Sequence, residues 1–350
     1  MGQGRARVDQ VWGWRTGSNR STIIVAARGA LAAARSAHSP SPSPIPLLDL
    51  DSIARASRDI DAVFRNTPQF EADALGRRLG ARVLLKVETV NPIRSFKGRG
   101  TDYFLRTTAD LPKKLVTASA GNFGQGLAWA ARSRGIALVV FAAESANAFK
   151  VARMKDLGAT VQLAGRDFDD AKAHARAYAE REGAPIVEDG REPAIAEGAG
   201  SIAVELTANV EPIHSVVVPL GNGALLGGVG TWFRHASPST RIVGVCAAAA
   251  PAMRESLLAG RPVETKDART IADGIAVRVP VPEALAYLAP VVDEVVLVSE
   301  SSLRQAMSMV LDATGLVGEP AGVAGIAALI EHEDLRGPGL VATLLCGSNQ

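Results

Sequence analysis

Lys97 stands in the run Arg94-Ser95-Phe96-Lys97-Gly98-Arg99-Gly100, just after the strand-like Val83-Leu84-Leu85-Lys86-Val87. A lysine amine can condense with an aldehyde to form a carbon–nitrogen bond, and can later carry protons at a neighbouring carbon. That chemistry needs a short fixed tether and room for a ring, and the serine and glycines around Lys97 are expected to provide both. Alone the run is a weak signal, because most lysines are surface lysines. Two later stretches strengthen it. Ser119-Ala120-Gly121-Asn122-Phe123-Gly124-Gln125-Gly126 follows one short apolar run and leads into a helical pattern. Gly221-Asn222-Gly223-Ala224-Leu225-Leu226-Gly227-Gly228 does the same after another.

The glycine loop suits a phosphate. A helix that opens there offers unpaired backbone N–H groups and the positive end of its dipole. Side chains would block close approach, so the glycines at 221, 223, 227 and 228 are expected to admit the anion, while Asn222, Ala224 and Leu225 keep their N–H groups. A dinucleotide loop is the competing reading. It lacks the third spaced glycine, since position 226 is leucine, and no ribose-binding acid follows in the usual place. A nucleotide-dependent oxidoreductase is therefore disfavoured. In the other loop, Asn122 could simply cap the helix that follows.

Lysine, asparagine loop and glycine loop, in that order, resemble the pyridoxal-phosphate enzymes of the threonine/serine dehydratase family, which have the tryptophan-synthase-β-like fold. The resemblance runs from about residue 47 to the C-terminus. It implies pyridoxal 5'-phosphate as cofactor, Lys97 as its Schiff-base partner and catalytic lysine, and Phe96 beside it. Gly221, Asn222, Gly223, Ala224 and Leu225 would cradle the phosphate. Asn122 would hydrogen-bond the ring hydroxyl, and Ser119, Ala120, Gly121, Asn122 and Phe123 would receive the substrate carboxylate. Cys346-Gly347-Ser348-Asn349 resembles the family's Ser/Cys-Gly-Gly-Asn ending, which puts Cys346 against the pyridine nitrogen. A neutral thiol there leaves the ring a weaker electron sink and suits expulsion of a β-leaving group. The plainer reading of Cys346 is a small buried hydrophobe. Ile271-Ala272-Asp273-Gly274-Ile275-Ala276-Val277 and Glu319-Pro320-Ala321-Gly322 also match family stretches and are assigned supporting roles.

The departures from the family pattern are informative. Four glycines usually stand where this chain has Gly221-Asn222-Gly223-Ala224, and histidine is common where it has Phe123. Racemising relatives carry serine at the position of Ala120, which has no proton to give. The resemblance thus implies β-elimination and deamination of a 3-hydroxy amino acid such as L-threonine or L-serine, giving a 2-oxo acid and ammonia. A β-replacement synthase, an amino-acid racemase, or a non-catalytic protein that binds the cofactor are the alternatives. Relatives that bind a divalent cation have an acid where Val245-Cys246-Ala247-Ala248-Ala249 has none, so no metal is expected at that place. The five histidines are scattered without a zinc spacing.

The elements that must position these residues alternate. Strands are expected at 83–87, 115–118, 137–142, 160–163, 185–187, 215–219, 241–245, 291–298 and 340–345. Helices are expected at 49–65, 72–79, 98–106, 124–134, 146–157, 168–182, 198–209, 225–235, 252–259, 300–313 and 321–330. Asp51 or Ser52 is a candidate N-cap for the first. This alternation predicts an α/β fold built on parallel sheet covered by helices on both faces. The family resemblance implies two lobes, each an open, mostly parallel twisted sheet flanked by helices, with the cofactor in the cleft between them. The expected division is a large lobe of 46–111 and 191–350, a small lobe of 112–190, and a tail of 1–45.

The chain of 350 residues, 47% apolar and 21% charged, suffices for two cores and fits an ordinary soluble globular protein. Its net charge of +2, without a basic block past the tail, gives no case for nucleic acid. No apolar run reaches the length of a membrane span. Two cysteines are too few for a disulfide framework, so a reducing, cytoplasmic setting is expected. The tail, basic and Ser-rich with Asp9 as its one acid, reads as disordered or targeting-like. The chain ends soon after Asn349, which leaves no expectation of a C-terminal regulatory domain. A small-molecule amino acid is the expected partner, and a homodimer or other homo-oligomer the expected assembly.

Overall fold

The computed structural model describes residues 47–208 and 211–350; the predicted tail lies outside them. Two parallel-dominated sheets organise the chain. The larger takes its strands from both ends of the sequence: β1 (Gln69–Glu71), β2 (Val83–Val87), β7 (Ile213–Pro219), β8 (Arg241–Ala247), β9 (Glu294–Val298) and β10 (Leu340–Leu345). Their order is β1-β2-β10-β7-β8-β9. The smaller uses β3 (Lys114–Ala118), β4 (Ala137–Ala142), β5 (Thr160–Leu163) and β6 (Ile186–Val187) in the order β5-β4-β3-β6.

The reason for parallel pairing is visible in the strands. β2 and β10 are buried at every position, as is required of strands covered on both faces. β10 pairs in parallel with β2 on one side and β7 on the other, Thr343 facing Leu85 and Val217. All pairs of the smaller sheet are parallel, for example Val116 with Val139 and Thr117 with Val187. The apolar alternation of strand and helix thus yields the predicted α/β architecture. The short antiparallel edge strand β1 was not expected. Three residues are too few to show a period of two, and they are aligned by pairing Phe70 with Leu85.

Helix boundaries mark where side chains override the apolar rhythm. The first helix, expected over 49–65, is α1 (Leu50–Asp59) followed by a separate 3-10 turn, Ala62–Phe64. Asp49 is the N-cap, its carboxylate accepting from Asp51 N and Ser52 N, so the cap falls before the predicted Asp51 or Ser52. The helix stops because Ile60 turns extended and the Asp61 N–H is taken by Asp102 Oδ2 at 2.7 Å. The run at 321–330 likewise divides into a 3-10 turn, Ala321–Val323, and α12 (Ala324–Glu331). Strand β9 begins at Glu294 rather than 291, because Val291 N and Val292 N close the end of α10 (Pro282–Leu288) on Leu288 O. The remaining helices are α2 (Asp73–Leu79), α3 (Lys97–Thr107), α4 (Asn122–Arg132), α5 (Ala148–Asp156), α6 (Phe168–Glu182), α7 (Pro193–Thr207), α8 (Ala224–Ala236), α9 (Ala252–Ala259) and α11 (Glu300–Thr314).

Between α7 and α8 the backbones touch. A Cβ at Gly200 would lie 2.9 Å from the Gly228 carbonyl oxygen, so these glycines let the two helices pack. Gly227 faces the ring of Tyr287 on α10. Gly227 and Gly228 were expected to admit a phosphate; they serve helix packing instead. No described helix is long and apolar enough to cross a membrane.

Candidate active site

The carboxyl ends of β2, β3, β6, β7 and β10 converge on one cleft, the place where open parallel sheets present their loops. Its volume is about 720 Å³. Every residue singled out for cofactor or substrate lines it: Phe96 and Lys97, Ser119 to Phe123, Gly221 to Leu225, and Cys346.

Lys97 is the first residue of α3. The turn before it is shaped by Asn91, whose Oδ1 accepts from Ile93 N and Ser95 N and whose Nδ2 donates to Glu88 O and Ser95 O. Ser95 Oγ accepts from Lys97 N at 3.3 Å. The Lys97 amine lies 2.6 Å from Asp189 Oδ2 and above the rings of Phe96 and Phe123, 5.0 and 5.6 Å from their centroids. The glycines after it do not make room in the cleft, as the sequence suggested. A Cβ on Gly98 would run into the Phe64 ring and one on Gly100 into Ile195, so both let α3 pack inward. Arg99 points away from the cleft. It is fully buried, donates to Glu88 through Nε and Nη2, and reaches Ser201 and Glu205 through Nη1.

The asparagine loop opens α4. Gly121 is its N-cap and gives no side-chain cap, while Ser119 Oγ accepts from Gly121 N and Gly124 N. The first-turn N–H groups of Asn122 and Phe123 thus begin the helix at the cleft wall. Asn122 does not cap. Its Nδ2 donates to Glu319 Oε1, and its Oδ1 accepts from Asn349 Nδ2 at 2.8 Å. Asn349 Nδ2 also donates to Ile93 O, which ties the loop to the chain's last residues.

The glycine loop opens α8 at Ala224, one residue earlier than predicted. Gly223 is its N-cap at φ +98°, a conformation that disfavours any side chain, and no side chain caps the helix. A Cβ at Gly221 would stand 2.8 Å from Gly274 O. The first turn therefore presents bare backbone donors to the cleft, a cradle that fits a phosphate. Cys346 is buried, with Sγ 3.8 Å from Ala321 O; desolvation, with Glu319 adding to it, pushes its thiol far up, so it is neutral.

Two residues were missed. Asp189 follows the two-residue strand β6; a carboxylate at the end of a parallel strand was the available signal. Lys150, on α5, is 5% exposed at its side chain and lies 2.6 and 2.9 Å from the Asp273 carboxylate and 3.3 Å from Glu319 Oε2. Nothing in its surroundings in sequence marks it. Asp273 and Glu319 belong to the two stretches given supporting roles, and here they meet. Burial, with Asp273 nearby, raises the Glu319 carboxyl; burial lowers the Lys150 amine, but Glu319 and Asp273 outweigh it and the net shift is upward. No His/Cys/Asp/Glu group able to hold a metal exists among the described residues.

Comparison with known proteins adds to this geometry. The family model described as pyridoxal-phosphate dependent enzyme matches residues 60–347. The L-threonine ammonia-lyase of Geobacter sulfurreducens is 36% identical over 287 residues, 81% of this chain and 71% of that protein. The enzyme of the same name from Thermotoga maritima is 32% identical, over 87% of this chain and 76% of its own. Among solved structures, a threonine deaminase from T.th. superposes with a TM-score of 0.81 at 33% identity, covering 87% of this chain and 99% of that one.

Proposed function

The chain belongs to the pyridoxal-phosphate dependent enzyme family, and from that premise we propose that it is a dehydratase of the threonine ammonia-lyase type. It converts a 3-hydroxy amino acid, L-threonine or L-serine, into a 2-oxo acid and ammonia. The observation that carries this reading is the meeting of Lys97, the asparagine loop, the glycine loop and Cys346 on one cleft. Its cofactor is pyridoxal 5'-phosphate.

In this reading Lys97 is the residue that bonds the cofactor, with Phe96 and Phe123 as its apolar walls. Gly221, Asn222, Gly223, Ala224 and Leu225 hold the phosphate with backbone N–H groups, supported by the uncapped first turn of α8. Asn122 would serve the ring hydroxyl. With one Nδ2 hydrogen given to Glu319 and Oδ1 taken by Asn349, its remaining Nδ2 hydrogen is free to donate to a ring oxygen. Cys346, a neutral thiol on the cleft wall, would serve the pyridine nitrogen. When bound, pyridoxal phosphate supplies the electron-withdrawing system that lets the α-proton and the β-substituent leave.

The chain's own work is binding, orientation and proton movement. The start of α4, with Ser119 to Phe123, receives the substrate carboxylate on backbone donors. Lys97 Nζ removes the α-proton from the face it occupies. Ala120 carries no group able to return a proton on the other face, which supports elimination over racemisation. The phenyl faces of Phe96 and Phe123 keep water from the amine.

The lobes of this reading are 46–111 with 191–350, and 112–190, supported by the origin of the two sheets' strands. A cytoplasmic location is supported by two free, buried cysteines, and a homodimer or other homo-oligomer by the family resemblance. The test of function is direct. The protein loaded with pyridoxal phosphate is given L-threonine, then L-serine, and 2-oxo acid and ammonia are measured with wild type and Lys97→Ala. Equimolar products from wild type and none from the variant support it; D-amino acid without 2-oxo acid overturns it in favour of a racemase.

A further inference from the structure

Asp189 and Lys97 reach each other from different sheets. Asp189 extends from β6 of the four-stranded sheet, whereas Lys97 begins α3 beyond the end of β2. Their side chains are each 14% exposed, with Asp189 Oδ2 2.6 Å from Lys97 Nζ. Asp189 Oδ1 is buried without a hydrogen-bond partner among the described residues, so this carboxylate is not held elsewhere through that oxygen. The amine also lies over the aromatic faces of Phe96 and Phe123. Among the described residues Asp189 is the only carboxylate in ion-pair contact with Lys97.

We infer that Asp189 is the counter-ion of the free Lys97 ammonium, a positioning residue that favours release of the lysine from the cofactor when an amino acid arrives. The inference rests on Lys97 being the cofactor lysine. Condensation with the aldehyde forms the Nζ–carbon double bond and expels the carbonyl oxygen as water, two of the ammonium's three protons leaving with it. The proton that remains on nitrogen is shared with the cofactor's ring oxygen, so Asp189 no longer pairs with a full ammonium and the contact is weakened. When a substrate amine displaces the lysine, Lys97 leaves as an amine, takes up a proton, and the pair re-forms. A largely buried charged hydrogen bond therefore weights the free state of Lys97 over the bonded one. The same pairing stabilises the ammonium produced when Lys97 takes the substrate α-proton.

The sign of the expected effect separates this from a structural role. A residue that merely shaped the cleft would, on removal, weaken capture of the cofactor. Removing the counter-ion must strengthen it. Cofactor-free wild type, Asp189→Asn and Asp189→Ser are titrated with pyridoxal phosphate, following the absorbance of the lysine-bound form. Borohydride reduction and peptide mass then locate the bond. Both variants are expected to capture the aldehyde about tenfold more tightly than wild type, from the strength of one charged hydrogen bond. They are also expected to need about tenfold more L-alanine, which has no β-leaving group, to displace the lysine. Asp189→Glu restores wild-type values. Capture by Asp189→Asn equal to or weaker than wild type, with the mass still on Lys97, overturns the inference. If Lys97→Ala captures the aldehyde as wild type does, or the mass falls on another lysine, the assignment of Lys97 fails first and the inference with it.

Discussion

Lys150 grips Asp273 with both carboxylate oxygens in reach of its amine, at 2.6 and 2.9 Å, and so joins the helix packed beside the small sheet to a turn beside the large one. The contact closes one wall of the cleft. It also reaches the cofactor machinery, because Glu319, 3.3 Å from the same amine, accepts from Asn122 Nδ2, and Asn122 in turn accepts from Asn349. One buried lysine therefore sets the charge balance behind the asparagine loop.

Replacing Lys150 by methionine keeps the length of the side chain and removes the charge. Glu319, 2% exposed, is then left without a cation beside it. The expected loss is about 3 kcal/mol of folding stability, the scale for breaking a buried pair by deleting one partner. Glu319→Gln in the same background should recover most of it, since the orphaned charge goes too. Urea unfolding of the two single variants and the double variant measures the coupling; an additive double variant would show that the two residues act independently.

A second charge network lies under the lysine helix and gives a pH prediction. Burial pushes the Glu205 carboxyl up, but Arg99 and Lys86 outweigh it and hold it below its ordinary value of 4.5. A carboxylate with a depressed folded pKa contributes stability that is present above its unfolded pKa and lost as pH falls through the folded one. Glu205→Gln should therefore cost about 3 kcal/mol near neutral pH, where it strips a partner from the fully buried Arg99. The difference from wild type should shrink as pH falls below 4.5. A difference that stays constant across that window would mean that the carboxylate charge does not support the fold.

Much of this was legible from residue types. Strand β2 was placed to the residue, as were β4, β5 and β10, because buried parallel strands are short apolar runs bounded by polar turns. The cofactor-facing residues were legible for a different reason: Asn122, Gly221 and Cys346 each sit just past a strand, and Lys97 follows the turn after one, where a parallel sheet delivers its chemistry. What sequence could not give was pairing at a distance. Asp189 lies 92 positions from Lys97, and Lys150 lies 123 from Asp273. The purposes of glycines were also invisible, since Gly98 and Gly228 answer to Phe64 and to α7 rather than to a ligand.

Gly223 should be the least replaceable residue of the phosphate loop. Its φ of +98° strains any side chain, and a Cβ would stand 2.9 Å from Leu288 Cδ1 and 3.0 Å from Ala284 Cβ. Gly223→Ala is expected to cost at least about 1 kcal/mol of stability and to weaken pyridoxal-phosphate binding at least about tenfold. Gly135→Ala provides the control, because Gly135 also has a positive φ of +66° but open space around it and no place in the cleft. It should cost stability and leave cofactor affinity unchanged. Spectroscopic titration alongside thermal unfolding separates the two effects; equal cofactor affinity in both variants would remove Gly223 from the cradle.

The two cysteines should be silent toward thiol reagents in the folded enzyme, and for Cys346 that silence bears on catalysis. Burial pushes the Cys246 thiol up to about 12, with Cys346 higher still, and reactivity belongs to the thiolate. Iodoacetamide at neutral pH should label neither cysteine in the native protein and both after unfolding, as peptide masses would show. A neutral Cys346 acts on its surroundings only as a weak donor, and serine can take that part. Cys346→Ser should hold kcat within about threefold, the cost of one weak hydrogen bond exchanged for another. Cys346→Asp brings a carboxyl into a buried site already occupied by Glu319, where an added charge is unfavourable, and should lower both Tm and kcat. Full activity in Cys346→Asp together with rapid native labelling of Cys346 would mean that this position tolerates negative charge, and that the neutral thiol is not what the chemistry requires.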